Sequence, residues 1–454
     1  MSVARFKFAF VVQLLVLTCQ TAVSAPAGPP NILFIMADDM GYADAGCYGQ
    51  KVIPTPNLDQ LAGEGTRFTQ VYAGSPVCAP SRSVLMTGFH AGRTTVRGNM
   101  GIGGVRGLDG SQGRVPLKAE DRTVAESLKE LGYATGMTGK WGLGEPGTSG
   151  EPNRQGFDEW FGFLNQGRAH DHFPEYLWHN TERKELEGNR GGEGPHYAHD
   201  LFTGFAMDFI RRHADGERPF FLYLPYTLPH DKYQTPSTAP FTDKPWTRDE
   251  KVHAAMIARI DRDTGSLMRL LQKLGLAENT VVFFTSDNGA ARRWEGRFDS
   301  SGPLRGRKRD LYEGGIRVPM IVRWPGVVPA GTINEAPWYF PDVLPTLVAI
   351  AGGKPPEGID GISVLPVLKG DAQPELSGRH LYWEFFEGGF KQAARRGAWK
   401  VVRPAAEAPL ELYHLDRDPS EARDIAGEHP EVIEQFEAYL KTARTPSEHW
   451  PVQR

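Results

Sequence analysis

Cysteine is scarce in this chain: 454 residues carry three, Cys19, Cys47 and Cys78. Three are too few for a disulfide scaffold, even in an oxidising compartment. Strong charge of one sign is missing as well. A formal net charge of −4 gives no global attraction to nucleic acid or to an anionic membrane surface. Long apolar runs are lacking too, since the stretch from Phe8 to Thr18 is too short to span a bilayer comfortably. There is no repeat of fixed period and no low-complexity tract. With 40% apolar and 23% charged residues, the composition is that of an ordinary soluble globular enzyme and names no function.

The N-terminus gives an address. Arg5 and Lys7 precede the apolar run, and the small residues Thr21-Ala22-Val23-Ser24-Ala25 follow it. That is the layout of a cleaved secretory signal over residues 1–25, which predicts a secreted or periplasmic protein with no stable membrane association. Pro26 makes a cut directly after Ala25 awkward, so cleavage one residue earlier or two later is also expected. A lipoprotein reading around Cys19 is weaker, because Thr18 is a poor residue before a lipidated cysteine.

A chain of this length exceeds the usual single core, so one large domain with a small companion is expected. Asn31 to Met36 is a continuous apolar run ending in Ala37-Asp38-Asp39, the pattern of a fully buried strand. Further strands are predicted at Tyr133 to Met137, Pro219 to Leu224 and Thr280 to Thr285. Helices are predicted from Pro56, with Thr55 as N-cap, and over Thr123–Leu131, Leu201–Arg212 and Trp246–Leu274. Helices alternating with buried strands imply an α/β fold, a large mostly parallel sheet covered by helices on both faces, over residues 26–370. From about Asp371 short strands at His380–Phe386, Gln392–Val402 and Glu411–Leu415, then a helix over Pro430–Leu440, predict a small α+β subdomain over 371–454. Three Gly-rich stretches, 98–113, 145–156 and 182–194, read as site-lining loops or surface insertions.

Two strand ends carry hard oxygen ligands, Asp38 and Asp39 after the first strand and Asp287 and Asn288 after the fourth. Singly, such residues are usually turns or caps. Jointly, at the carboxyl ends of buried strands where α/β sites form, they suit a hard cation, Ca²⁺ or Mg²⁺, rather than Zn²⁺. The run Cys78-Ala79-Pro80-Ser81-Arg82 adds a thiol at a helix start, where free backbone N–H groups favour an anion. A buried structural cysteine is the plain alternative, and pairing of Cys47 with Cys78 is another.

That run resembles the sulfatase signature Cys-x-Pro-Ser-Arg, whose cysteine is oxidised to formylglycine (3-oxoalanine), the family's nucleophile. Asn31–Gly41 and Thr285–Gly289 resemble the family's metal-binding segments. Gly139-Lys140-Trp141 and Gly306-Arg307-Lys308 with Tyr312-Glu313-Gly314-Gly315 resemble its sulfate-binding segments. Pro229-His230 resembles the segment with a histidine facing the leaving group, and Arg396–Lys400 with Glu411-Leu412-Tyr413 resembles its small subdomain. The likeness runs in order over nearly the whole chain after the signal. It implies that Asp38, Asp39, Asp287, Asn288 and residue 78 hold the cation. It further implies that Arg82, Lys140, His230 and Lys308 surround nucleophile and sulfate. Ca²⁺, with Mg²⁺ as the alternate, and a formylglycine-generating or sulfatase-maturing enzyme are the implied cofactor and partner, and a sulfated small molecule or glycan the implied substrate.

One position departs from the family. A histidine usually stands two residues after the lysine matched by Lys140, and here that residue is Gly142. His170 and His172 lie in a following loop and are candidates for supplying an imidazole, against the plain reading of an exposed turn pair. Arg292, Arg293 and Trp294 form a basic, aromatic segment after the second metal motif, read either as a subsite for an anionic sugar or as solvated surface. Two rival functions stay open at this point. One is a phosphonate or phosphate ester hydrolase of the same superfamily, and the other a sulfated-glycan-binding relative without catalysis.

Overall fold

The computed structural model describes residues 28–192, 194–216 and 218–452. The signal segment 1–25 and Cys19 lie outside the described residues. In chain order the elements are β1 (Asn31–Ala37), α1 (Pro56–Gly63), β2 (Thr66–Tyr72), α2 (Cys78–Thr87), α3 (Val124–Glu130), β3 (Ala134–Lys140), β4 (Glu159–Phe163), β5 (Tyr176–His179) and β6 (Glu182–Glu185). Next come α4 (Ala198–Arg212), β7 (Phe220–Pro225), α5 (Arg248–Lys273), β8 (Thr280–Ser286), α6 (Glu313–Ile316), β9 (Arg317–Arg323), β10 (Thr332–Asn334), β11 (Trp338–Tyr339) and α7 (Val343–Ile350). The last group is α8 (Leu365–Leu368), α9 (Glu375–Gly378), β12 (His380–Phe385), β13 (Lys391–Arg396), β14 (Trp399–Arg403), β15 (Glu411–His414) and α10 (Pro430–Leu440).

Eleven strands form one sheet in the order β10-β2-β9-β8-β1-β7-β3-β4-β5-β6, with β11 also on β2. The block β8-β1-β7-β3-β4 is parallel throughout, in keeping with the apolar runs of β8, β1 and β7. β9 is antiparallel to both neighbours, and the β4-β5-β6 edge is antiparallel, so the sheet is mixed outside that block. Strand alternation divides the core in two. Ile32, Phe34 and Met36 of β1 face a cluster with residues of α2, α3 and α7. Leu33, Ile35 and Ala37 face the opposite cluster, with α1, α4 and α5.

The C-terminal part is a four-stranded antiparallel sheet, β12-β13-β14-β15. Leu381, Trp383 and Phe385 pack on Tyr72, Ile316 and Tyr339 of the large domain. On the other face Tyr382, Ala394 and Val401 pack on Phe436 and Leu440 of α10.

Local differences from the expectations have physical causes. The single strand expected over 392–402 is a hairpin, β13 and β14, turning at Gly397 with φ +57°. Thr55 precedes α1 but does not cap it, because its hydroxyl instead accepts from Gly46 N (2.7 Å) and lies 3.3 Å from Asp59 Oδ1. Thr123 and Thr247 do form capping boxes, with Glu126 and Glu250. Of the three Gly-rich stretches, 182–194 begins with an exposed strand, β6, rather than a loop.

Candidate active site

The register of β1 on β8 pairs Ala37 with Ser286. The next residues of the two strands, Asp38 and Asp287, therefore emerge side by side at the carboxyl edge of the parallel block. Lys140 ends β3 on the same edge, and His230 follows β7, whose Pro225 pairs with Met36. Cys78 is the first residue of α2, a helix with all ten residues buried. Ser81 fastens that helix start to the sheet, accepting from Gly74 N (3.1 Å) and donating to Asp287 O (2.5 Å).

The side chains then interlock. Cys78 Sγ lies 3.4 Å from Asp38 Oδ1, and Lys140 Nζ 2.6 Å from Asp38 Oδ2. Arg82 donates from Nε (3.1 Å) and Nη2 (2.7 Å) to Asp287 Oδ2, and from Nη1 to the Lys140 carbonyl (2.6 Å). Asp287 Oδ1 accepts from Asp39 N, and Asn288 Nδ2 donates to Asp39 Oδ1 (2.7 Å). Lys308 Nζ bridges Asp39 Oδ2 (2.7 Å) and His230 Nε2 (2.9 Å). All nine core residues named from the sequence, Asp38, Asp39, Cys78, Arg82, Lys140, His230, Asp287, Asn288 and Lys308, are thus brought together.

Burial sets the electrostatics. Burial would raise Asp38, yet the Lys140 ammonium, helped by His230, Arg82 and Lys308, holds its carboxyl well below the usual range. Burial and the neighbouring Asp38 push Asp287 up to about 6. His230 is buried, which favours the neutral ring, but Asp39 and Asp231 overcome this and lift it to about 10. Its Nδ1 faces Asp231, with a carboxylate oxygen at 2.7 Å.

The donor set fits a hard divalent cation. Ligand atoms of Asp38, Asp39, Cys78 and His230 all lie within 4.8 Å of one another. Among the described residues Asn288 Oδ1 is buried with no hydrogen-bond partner, although its amide nitrogen is used twice. An acceptor left free in a buried site needs a cation or donor from outside the chain.

Above this floor opens a cleft of about 600 Å³, lined by Cys78, Lys308, His230, His170, Gln166 and Arg292 among others. That volume is typical of a site for one small ligand. The loop 98–113 does line it, through Asn99 and Met100. His170 packs on His230 with ring centroids 4.1 Å apart and planes tilted by 30°, and burial with the nearby cations holds it down to about 2, a neutral ring. His172 is not on the cleft. It sits behind His230, donating from Nε2 to the His230 carbonyl (3.1 Å), and burial lowers it to about 4.

The basic segment also divides. Arg292 lines the cleft, over the rings of Tyr233 (5.2 Å) and Trp294 (5.3 Å). Arg293 turns away and binds the carbonyls of Leu304 and Gly302. Trp294 packs inward on His253 and Phe298, so it supports Arg292 instead of offering its face to a sugar. Glu313, within a segment likened to a sulfate-binding one, lies instead in the contact with the C-terminal sheet, on Lys400 (2.9 Å). Cys47 and Cys78 are both free thiols.

The family model described as Sulfatase matches residues 30–353. The chain belongs to the sulfatase family. As a sulfatase it is a sulfuric ester hydrolase, and this relationship favours that reading over the phosphoryl and binding-protein ones. A second model, N-sulphoglucosamine sulphohydrolase, C-terminal, matches residues 306–445. N-acetylgalactosamine-6-sulfatase of Canis lupus familiaris is 35% identical, with 88% of this chain and 82% of that protein covered. Arylsulfatase A of Homo sapiens is 35% identical over 90% of this chain and 87% of its own. The crystal structure of Ps i-CgsB in complex with k-i-k-neocarrahexaose superposes with a TM-score of 0.81 at 30% identity, covering 92% of this chain and 94% of that one.

Sequence reasoning missed Gln166, Asn99 and Arg114 on this sulfatase's cleft. No local pattern marks them, because loop packing alone brings them to the site.

Proposed function

We propose that this sulfatase removes sulfate from a sulfated carbohydrate, using formylglycine formed from Cys78 by a maturation enzyme. The observation that carries the reading is the seat of Cys78, at the first turn of α2 and 3.4 Å from the buried Asp38 carboxylate. A relative named N-acetylgalactosamine-6-sulfatase and a solved neighbour in complex with k-i-k-neocarrahexaose support the substrate class.

Asp38, Asp39, Asp287 and Asn288 Oδ1 would hold a divalent cation, Ca²⁺ with Mg²⁺ as the alternate. Such a cation lowers the pKa of an oxygen bound to it and offsets charge on sulfate oxygens. Formylglycine would supply, once hydrated, the attacking hydroxyl. The chain's own groups do the rest. Lys140 and Lys308 hold fixed positive charge beside the carboxylates, where a sulfate gains most from it. Lys308 Nζ donates to His230 Nε2 on the cleft wall (2.9 Å), so this pair would pass a proton to an oxygen that leaves the sulfur. His170 packs against the His230 ring at a 30° tilt, and His172 fixes its backbone.

Export through the segment 1–25 is part of the same proposal, supported by Arg5, Lys7 and the apolar run that follows them. Among the described residues no helix is long and apolar enough to cross a membrane.

The test is protein made in a formylglycine-competent host. An aldehyde or its hydrate at residue 78 in the peptide Phe68–Arg82, with sulfate released from N-acetylgalactosamine 6-sulfate or carrageenan oligosaccharides, is the expected result. An intact thiol, in cells that mature another sulfatase, would overturn it.

A further inference from the structure

Helix α2 carries Cys78 at its first position, and the residue before it, Val77, has no side-chain oxygen to cap the helix. A helix start leaves its first N–H groups without partners inside the helix. Here Pro80 has no N–H, and Ser81 N donates back to Val77 O (3.3 Å). Those of Cys78 and Ala79 must be satisfied from outside. Asn99 meets that need from another part of the chain. Its Oδ1 accepts from Ala79 N (3.4 Å), the second N–H of the helix and one that a capping side chain commonly takes.

The same asparagine is tied on its other side. Asn99 Nδ2 donates to Glu387 Oε1 (2.8 Å), and Glu387 Oε2 accepts from Arg309 Nε (2.8 Å). Arg309 N in turn donates to Pro76 O (3.0 Å), two residues before Cys78. The contacts close a ring that runs from Pro76 through Cys78 and Ala79 to Asn99, Glu387, Arg309 and back. Residue 78 is bracketed by it on both sides. Arg309 holds φ +76°, a costly conformation for a residue with a side chain, which persists where surrounding contacts over-determine it.

Glu387 lies in the turn between β12 and β13, so the small C-terminal sheet supplies one member of the ring. Its side chain is 31% exposed, and an ion pair that open to water adds little to stability. What the pair does fix is place, since Asn99, Glu387 and Arg309 all line the cleft with Cys78.

We propose that Asn99 and Glu387 are positioning residues for the nucleophile at residue 78. Asn99 holds the helix start behind it, and Glu387 locks Asn99 to Arg309 and so to Pro76 in front of it. This rests on the sulfatase reading above and gives the C-terminal sheet a part in catalysis. Both residues act through the backbone of 76–79 and not on the sulfate. Loss of either should therefore slow turnover and leave affinity unchanged.

The experiment compares Asn99→Ala, Glu387→Ala, Glu387→Gln and the double alanine variant with wild type on an aryl sulfate, all mature and Ca²⁺-loaded. Rates are divided by the formylglycine content that mass spectrometry finds in the peptide Phe68–Arg82. Misplacing a reacting group by about 1 Å can cost a hundredfold, so each alanine variant should lose roughly ten- to a hundredfold in kcat, with KM within about twofold. The double variant should be no slower than the slower single one, because the ring is already broken. Glu387→Gln keeps one acceptor oxygen and should recover part of the loss. Amide hydrogen exchange in the same peptide should quicken in the alanine variants, a readout that needs no turnover. Wild-type kcat in both alanine variants would overturn the inference, and so would a raised KM at wild-type kcat, the mark of a substrate contact. Fully modified wild-type enzyme that cleaves no sulfate ester would instead defeat the sulfatase reading, and exchange at wild-type rates in both alanine variants would then show that the ring does not hold residue 78.

Discussion

Arg82 grips the Asp287 carboxylate with two nitrogens, Nε at 3.1 Å and Nη2 at 2.7 Å, in a pair shut off from solvent. The guanidinium also spans to the Lys140 carbonyl, so one side chain from α2 ties the ends of β8 and β3 together. Only a planar fork can make these bonds at once. Arg82→Ala leaves a buried carboxylate without its partner and should cost about 3–5 kcal/mol. Arg82→Lys keeps the charge but not the fork, and should recover only part of that loss. Urea unfolding of the three proteins checks this, and a lysine variant as stable as wild type would refute the claim that geometry matters here.

Among the described residues, no donor reaches Asn288 Oδ1, a buried acceptor of the cluster. If it and the three carboxylates hold a cation, binding must stabilise the fold by mass action. At a hundredfold excess over Kd the gain is about 2.7 kcal/mol. A chelator should lower the thermal midpoint of wild-type protein, and Ca²⁺ should restore it. Asn288→Ala should shrink this response or remove it. A midpoint indifferent to chelator would argue against a cation at these residues.

The centre of the sheet was readable because β1, β3, β7 and β8 are buried on both faces and keep no polar alternation. β2 and β9 escape such reading. Thr66-Arg67-Phe68-Thr69-Gln70 mixes polar with apolar residues, and Arg317 and Arg323 bracket β9. Their pairing comes from long-range register, which no local window contains. At the site, the residues at strand ends were legible from their motifs. Gln166 was not, since its place on the cleft comes from packing against Gly142 across two loops. Trp294 misled for the converse reason. An aromatic between arginines looks like a sugar platform, but its ring is used by His253 and Phe298.

Lys400 of β14 lies fully buried between Glu313 (2.9 Å) and Glu421 (2.8 Å), at the join of the two sheets. Glu313 Oε2 also accepts from the Tyr72 hydroxyl (2.7 Å) and pairs with Arg317 (3.3 Å). This network fixes the C-terminal sheet against α6, just after the segment that carries Lys308. Lys400→Met would leave buried Glu421 without its lysine and Glu313 with only Tyr72 and Arg317, with an expected loss of about 3–5 kcal/mol. Looser placement of Lys308 should also lower kcat/KM on an aryl sulfate. A stable, fully active Lys400→Met protein would show that the network is dispensable for both.

His90 predicts an acid limit to stability that is independent of the active site. It is buried against the Tyr382 ring, with centroids 5.0 Å apart, near Asp360, Arg93 and Arg97. Burial lowers it to about 4, although Asp360 at 3.7 Å pulls the other way. The folded state therefore binds fewer protons than the unfolded chain between about pH 6.5 and 4. The contribution is fully present above the unfolded value and is lost as the pH falls through the folded one. Its slope is at most about 1.4 kcal/mol per pH unit, so a few kcal/mol disappear across that window. His90→Gln cannot take up the proton. Its unfolding free energy should fall less steeply from pH 6.5 to 4 than that of wild type, whatever its value at pH 7. Parallel slopes for the two proteins in urea titrations would show that His90 does not set this limit.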